Sequence, residues 1–141
     1  MTSRRQFMGQ SAAAASALAF PLVGGAQPKT IKVGVIHPVT GALAYSGQQC
    51  REGVMMAIDD LNKAGGIKSL GGAKIEALLG DAQSTPQAGA AEVEKMNEAG
   101  VSAIVGAFAS AICLATTQAA AKYNLPHVVD VGGPTKSSSV A

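Results

Sequence analysis

With 141 residues, three Phe, two Tyr and no Trp, the chain is sized for one domain whose core is built from Ala, Val, Ile and Leu. Arg4 and Arg5 account for the whole excess of 11 Lys and Arg over 9 Asp and Glu. Without that pair no basic stripe is left to follow a phosphate backbone, which argues against nucleic-acid binding.

The chain opens on Ser3-Arg4-Arg5-Gln6-Phe7-Met8, a basic start, followed by an Ala-rich, uncharged run from Ser11 to Val23. Gly24-Gly25-Ala26 then supplies small residues for cleavage. Together these are the n-region, h-region and cleavage site of a secretory signal, assigned to residues 1–26, with the domain in 27–141. The paired arginines resemble the twin-arginine export motif; an ordinary Sec signal with two adjacent arginines is the alternative. The apolar run falls short of the roughly 20 residues that span a bilayer, and no cysteine follows it to carry a lipid. No membrane anchor is expected after cleavage, and a periplasmic location is.

Ile31 to Ile36 is a β-branched run that reads as a strand, broken by turn chemistry from Pro38 to Gly41. From about Gln48 to Asn62, Val54, Ile58 and Leu61 fall on one helical face, and Gly65-Gly66 ends the helix. Lys74 to Gly80 reads as a second strand ending at Asp81. Thr85-Pro86 starts a second helix, a hydroxyl cap followed by proline at the first helical position, with Val93 and Met96 facing the core and Gly100 as its stop. Val101 to Gly106 is apolar throughout and reads as a third strand buried on both faces. Ser110 to Tyr123 is a third helix stopped by Asn124 and Pro126, and His127 to Val131 a fourth strand. The order β-α-β-α-β-α-β, without a hairpin signal, defines an α/β fold: a doubly wound parallel sheet with helices on both faces. The stretch Gly132 to Ser139 lacks periodicity, and the last strand has no crossover helix after it, so the unit reads as unfinished.

In open α/β sheets ligands bind beyond the carboxyl ends of the strands, here His37 to Ser46, Asp81 to Thr85, Ala107 to Ser110 and Gly132 to Thr135. Gly106-Ala107-Phe108-Ala109-Ser110 runs from a buried strand straight into a helix, placing Ser110 at the cap. Free N–H groups and the positive dipole end suit an anion there, and a hydroxyl can join them. A plain helix cap, worth about 1 kcal/mol, is the equal alternative. Cys50 and Cys113 match neither zinc nor Cys-x-x-Cys spacing; they read as free buried thiols, with pairing in an oxidising compartment the alternative.

Enzyme motifs are missing. No Gly-x-Gly-x-x-Gly follows the first strand, and Thr135 stands where a Walker A loop needs its second glycine. Neither Gly-x-Ser-x-Gly nor His-Glu-x-x-His occurs, which leaves a secreted α/β hydrolase without its nucleophile elbow. His37 and His127 have no matched acid or cysteine and read as structural, and Asp81 as a loop residue capping the next helix. No catalytic residue, cofactor or metal ligand is predicted.

In this order and spacing the pieces resemble the leucine/isoleucine/valine-binding protein family of periplasmic receptors. The likeness rests on Ile31 to Ile36 with Pro38, Thr40, Gly41 and Gly47, and on Gly53, Ala57, Asp60, Asn62 and Gly65-Gly66-Ile67. Asp81 with Pro86, Gly106 with Ser110, and Pro126 to Val131 extend it. The resemblance implies a two-lobed receptor that closes on a small amino acid and delivers it to an inner-membrane ABC permease, this chain carrying part of the first lobe. It implies that Ser110, beside Ala109, holds the ligand carboxylate, and that Gly132 and Thr135 belong to a second ligand loop. Thr135 stands one position later than the family's threonine. The family's tyrosine position is occupied by Ser46, with Tyr45 just before it, and the family's disulfide cysteines do not coincide with Cys50 or Cys113. Other ligands of the same fold, such as an amide, urea or an aromatic acid, are the alternatives, as is a non-functional truncated product.

Overall fold

The structure, a computed structural model, describes residues 29–131. The assigned signal, and Gly132 and Thr135 of the last ligand loop, lie outside the described residues.

Four strands and three helices alternate along the chain: β1 (Ile31–His37), α1 (Ala44–Lys63), β2 (Ile75–Asp81), α2 (Pro86–Glu98), β3 (Ala103–Gly106), α3 (Ser110–Lys122) and β4 (His127–Val128). The strands form one parallel sheet in the order β2-β1-β3-β4. From β1 the chain moves outward to β2, then crosses back over β1 to β3. The winding direction therefore reverses between β1 and β3.

Alternation along β1 separates the two faces of the sheet. Gly34 and Ile36 look toward α2: a Cβ on Gly34 would lie 2.3 Å from Met96 Sδ. Ile36, Val93, Met96, Ile104, Ile112, Ala119 and Ala120 form the core between the sheet, α2 and α3. Gly89 lets α2 and α3 approach, since a Cβ there would meet Ile112 and Thr116 at 2.9 and 3.1 Å. The opposite face is covered by α1 over β1 and β2. Asn62 of α1 bonds the main chain of Ile75 twice, its amide donating to the carbonyl and its oxygen accepting from the N–H, both at 2.8 Å. That pairing secures the start of the edge strand β2.

Boundaries differ from the sequence reading at four places, each with a physical cause. The first helix begins at Ala44, not near Gln48, because Gly47 is helical: a Cβ there would stand 1.9 Å from the Pro38 carbonyl oxygen, so its smallness serves a close approach and not a turn. The third strand starts at Ala103, and it is not buried on both faces. Ile104 and Gly106 are buried, but Ala103 and Val105 only partly, since α1 does not extend over β3. The fourth strand ends at Val128 instead of Val131: Val105 pairs with Val128, and β3 stops one residue later at Gly106, whose φ of +124° leaves the extended region. Between α1 and β2, Ile67 and Ala73 form an antiparallel bridge around a 3-10 turn (Lys68–Leu70), a local reversal absent from the sequence reading.

Two expectations hold in detail. The Thr85 hydroxyl accepts from the Ala88 N–H at 3.2 Å with Pro86 following, so α2 starts as its sequence specifies. Gly100 adopts φ +75° just past its end. Among the described residues no helix is long and apolar enough to cross a membrane.

Candidate functional site

The reversal between β1 and β3 is where an open α/β sheet offers a crevice, because the loops leaving adjacent strands turn to opposite faces. Here those are residues 38–43, leading to α1, and Ala107–Ala109, leading to α3. All sequence-predicted site residues in the described part fall at this end of the sheet.

The β1–α1 loop is fastened to the β2–α2 loop. Asp81 Oδ1 accepts from the N–H groups of Val39 (2.9 Å) and Gln83 (2.8 Å), and Oδ2 from the Thr40 hydroxyl (2.6 Å). The Ser84 hydroxyl accepts from the Leu43 N–H (3.0 Å) and donates to the Thr40 carbonyl (2.6 Å). Partial burial opposes the Asp81 charge, but the Thr40 hydroxyl and the N–H donors outweigh it and hold its carboxyl below the usual value. Asp81 thus does not cap α2 as expected; Thr85 does, and Asp81 ties two ligand-side loops together. Asp81→Ala is expected to cost about 1–2 kcal/mol, the low side for charge-assisted hydrogen bonds because the loops are open to solvent. Urea unfolding measures that loss, and faster exchange of the Val39 amide localises it.

The β3–α3 loop is short and sharply turned. Gly106 (φ +124°) and Ala109 (φ +75°) both lie at positive φ, and the Gly106–Ala107 peptide is cis. A side chain at Gly106 would drive its Cβ to 2.0 Å from the Ile36 carbonyl oxygen. The Cys113 thiol donates to the Ala107 carbonyl at 2.7 Å and braces the loop from the first turn of α3.

Ala109, not Ser110, is the flanking residue of α3: the Cys113 N–H closes the first helical bond onto the Ala109 carbonyl at 2.9 Å. Ser110 is therefore the first helical residue, and the reading of Ser110 as a helix cap is corrected. Its side chain is exposed and makes no hydrogen bond among the described residues. The hydroxyl thus sits beside the first N–H groups of α3, which have no partner within the helix.

Tyr45 and Ser46 also lie differently from the sequence reading, which put them in the first loop. Both belong to the first turn of α1, with Tyr45 80% exposed and Ser46 half-buried. No hydrogen bond among the described residues joins either one to Ser110.

The two histidines, read as structural and without a matched acid, both have side-chain partners. The His37 ring is fully buried at the end of β1, its Nε2 2.8 Å from Asp130 Oδ2. His127 Nδ1 meets the Thr117 hydroxyl at 2.8 Å. Asp130 is the residue that sequence reasoning missed: it lies 93 positions from its partner, and no local spacing signals the pair. Cys50 is partly buried and Cys113 buried, both free; burial first, with the nearby Asp130 charge adding to it, pushes both thiols up. Among the described residues no three His, Cys, Asp or Glu side chains gather as a metal site.

A sheet that reverses at its switch point, with an open helix N-terminus beside it, is the frame of a class of ligand receptors. A profile of the Periplasmic binding protein family matches residues 30–140. The chain belongs to that family. It is 34% identical over 97 residues to Leu/Ile/Val-binding protein homolog 8 of Brucella abortus, a match covering 69% of this chain and 23% of the relative. Its fold superposes with a TM-score of 0.72 and 30% identity on the branched-chain amino acid transporter substrate binding protein LivJ from Streptococcus pneumoniae in complex with isoleucine, covering 77% of this chain and 31% of that one. A solute binding protein of an ABC transporter from Rhodopseudomonas palustris, in complex with 3,4-dihydroxy benzoic acid, matches with a TM-score of 0.63 and 27% identity, over 74% of this chain and 28% of that one. The chain spans about a quarter to a third of the length of these relatives.

Proposed function

We propose that this chain supplies the first-lobe half of the ligand site of an ABC-type uptake receptor for branched-chain or related amino acids, working with an inner-membrane permease. One observation carries the reading: the exposed Ser110 hydroxyl and the open N-terminus of α3 stand at the switch point, beside the β1–α1 loop. Unpaired N–H groups with a hydroxyl among them suit a carboxylate, the group all amino-acid ligands share. Tyr45 and Ser46, at the start of α1, Ala109 beside Ser110, and Gly132 and Thr135, next after β4 in the sequence, complete the proposed site. An aromatic acid is the second reading, favoured by the relative that binds 3,4-dihydroxy benzoic acid; it presents the same carboxylate and differs in the rest of the pocket.

Calorimetric titration with leucine, isoleucine, valine and 3,4-dihydroxybenzoate decides between them. Ser110→Ala is expected to weaken the preferred ligand by about 1–3 kcal/mol, the range for one charge-assisted hydrogen bond. An unchanged affinity would remove Ser110 from the site.

Export to the periplasm through Arg4 and Arg5, with cleavage after Ala26 and the domain in 27–141, belongs to the same proposal. In a reporter fusion, lysine at both positions is expected to abolish twin-arginine transport. Export that persists through the Sec route would make the arginine pair incidental.

A further inference from the structure

We propose that His37 and Asp130 are a positioning pair that holds the ligand loops in register across the end of β3, a role that rests on the amino-acid site proposed above. β1 and β4 are not neighbours in the sheet, for β3 lies between them. The 2.8 Å contact between His37 Nε2 and Asp130 Oδ2 therefore spans the carboxyl end of β3, where the chain leaves Gly106 for Ala107. Because an ionised carboxylate only accepts, Nε2 is the donor in this contact.

Each partner stands at the root of a different loop. His37 directly precedes Pro38, whose carbonyl lies so near Gly47 of α1 that no side chain would fit there. Asp130 also accepts the Val131 N–H at 2.8 Å through Oδ1, fixing the chain just past β4. The third loop is fixed nearby by the Cys113 bond to Ala107. His37 is wholly buried and the Asp130 side chain only 19% exposed. Burying such a pair gains little stability over apolar residues of the same volume. What it supplies here, and an apolar contact would not, is a directional link between two non-adjacent strands. The sheet ladder itself gives none, since β4 pairs with β3 over two residues.

The test compares Asp130→Ala and Asp130→Asn in the full chain by amide hydrogen exchange without ligand and by isoleucine titration. Asp130→Ala is expected to speed exchange at least tenfold in residues 39–43 and 107–110 while α2 keeps its protection, and to weaken isoleucine binding about tenfold. Asp130→Asn, which still offers an oxygen to Nε2, is expected to restore both to within about threefold. Exchange that rises equally in α2 and the loops, or loops unmoved in Asp130→Ala, would overturn the positioning role and leave the pair as a fold contact. If wild-type protein binds no isoleucine while the loop-selective exchange is seen, the ligand reading fails and the positioning pair stands.

Discussion

Gly106→Ala is expected to cost about 4 kcal/mol or more, enough to remove most of the stability of a domain of this size. Two effects add. A φ of +124° lies outside the range that L side chains adopt, which alone costs about 1–3 kcal/mol. The new methyl would also sit 2.0 Å from the Ile36 carbonyl oxygen, so β1 and β3 must separate at the very residues that pair. Gly53→Ala is the contrasting substitution. Gly53 lies within α1 with nothing in 4 Å of its would-be Cβ, and alanine there is expected to stabilise by about 0.5–1 kcal/mol. Urea unfolding followed by circular dichroism reads both. A wild-type midpoint for Gly106→Ala would mean that the β3–α3 turn relaxes at no cost.

The contrast between these glycines also marks what the sequence makes legible. Gly65-Gly66 and Gly100 end helices, a role visible from their place after an apolar periodicity. Gly47 and Gly106 are needed for close approach to backbone outside their own turn or helix, the Pro38 carbonyl and the Ile36 carbonyl, and no local pattern distinguishes them from turn glycines. The alternation of strands and helices was readable because each element carries its own period, and Thr85-Pro86 because capping is local chemistry. The reach of α1 is not local: whether Val105 is covered depends on where a helix forty residues earlier lies across the sheet.

The candidate site divides along the same line. That Ser110 begins a helix at a strand's carboxyl end follows from Gly106 to Ser110 alone. Which residue flanks the helix does not, because it turns on the φ of +75° at Ala109, a conformation alanine rarely takes and the surrounding contacts impose. Likewise Asp81 was legible as a loop acid but not as the acceptor for Val39 and Thr40, some forty residues away. His37 had no visible acid because Asp130 comes to it only through the sheet order. Local signals named the loops, and tertiary contacts decided how they are held.

Acid should destabilise the protein in two stages, the second of which involves Asp130. The first involves His127, whose burial lowers its pKa below the ordinary 6.5. The unfolded chain then binds a proton before the folded one does, so stability falls as pH drops below about 6.5 and levels off once the folded imidazole is also charged. The second involves Asp130. Burial opposes its charge, but the His37 hydrogen bond and charge, with the Val131 N–H, outweigh that and hold the carboxyl below the ordinary 3.8. A depressed carboxylate contributes stability above the unfolded value and loses it as pH falls through the folded one. The second loss is therefore expected below about pH 4, in the range where unfolded carboxylates titrate. Asp130→Ala, which strands a buried imidazole without its acceptor, is expected to cost about 2–3 kcal/mol at neutral pH. Asp130→Asn keeps the contact in neutral form, costs less, and flattens the decline below pH 4, leaving the part due to Asp81, whose carboxyl is also held low. Urea midpoints for wild type and both variants between pH 3 and pH 8 give the three curves. If Asp130→Asn follows the wild-type slope below pH 4, the low-pH loss originates elsewhere in the fold, and the His37 contact is not what stabilises the ionised carboxylate.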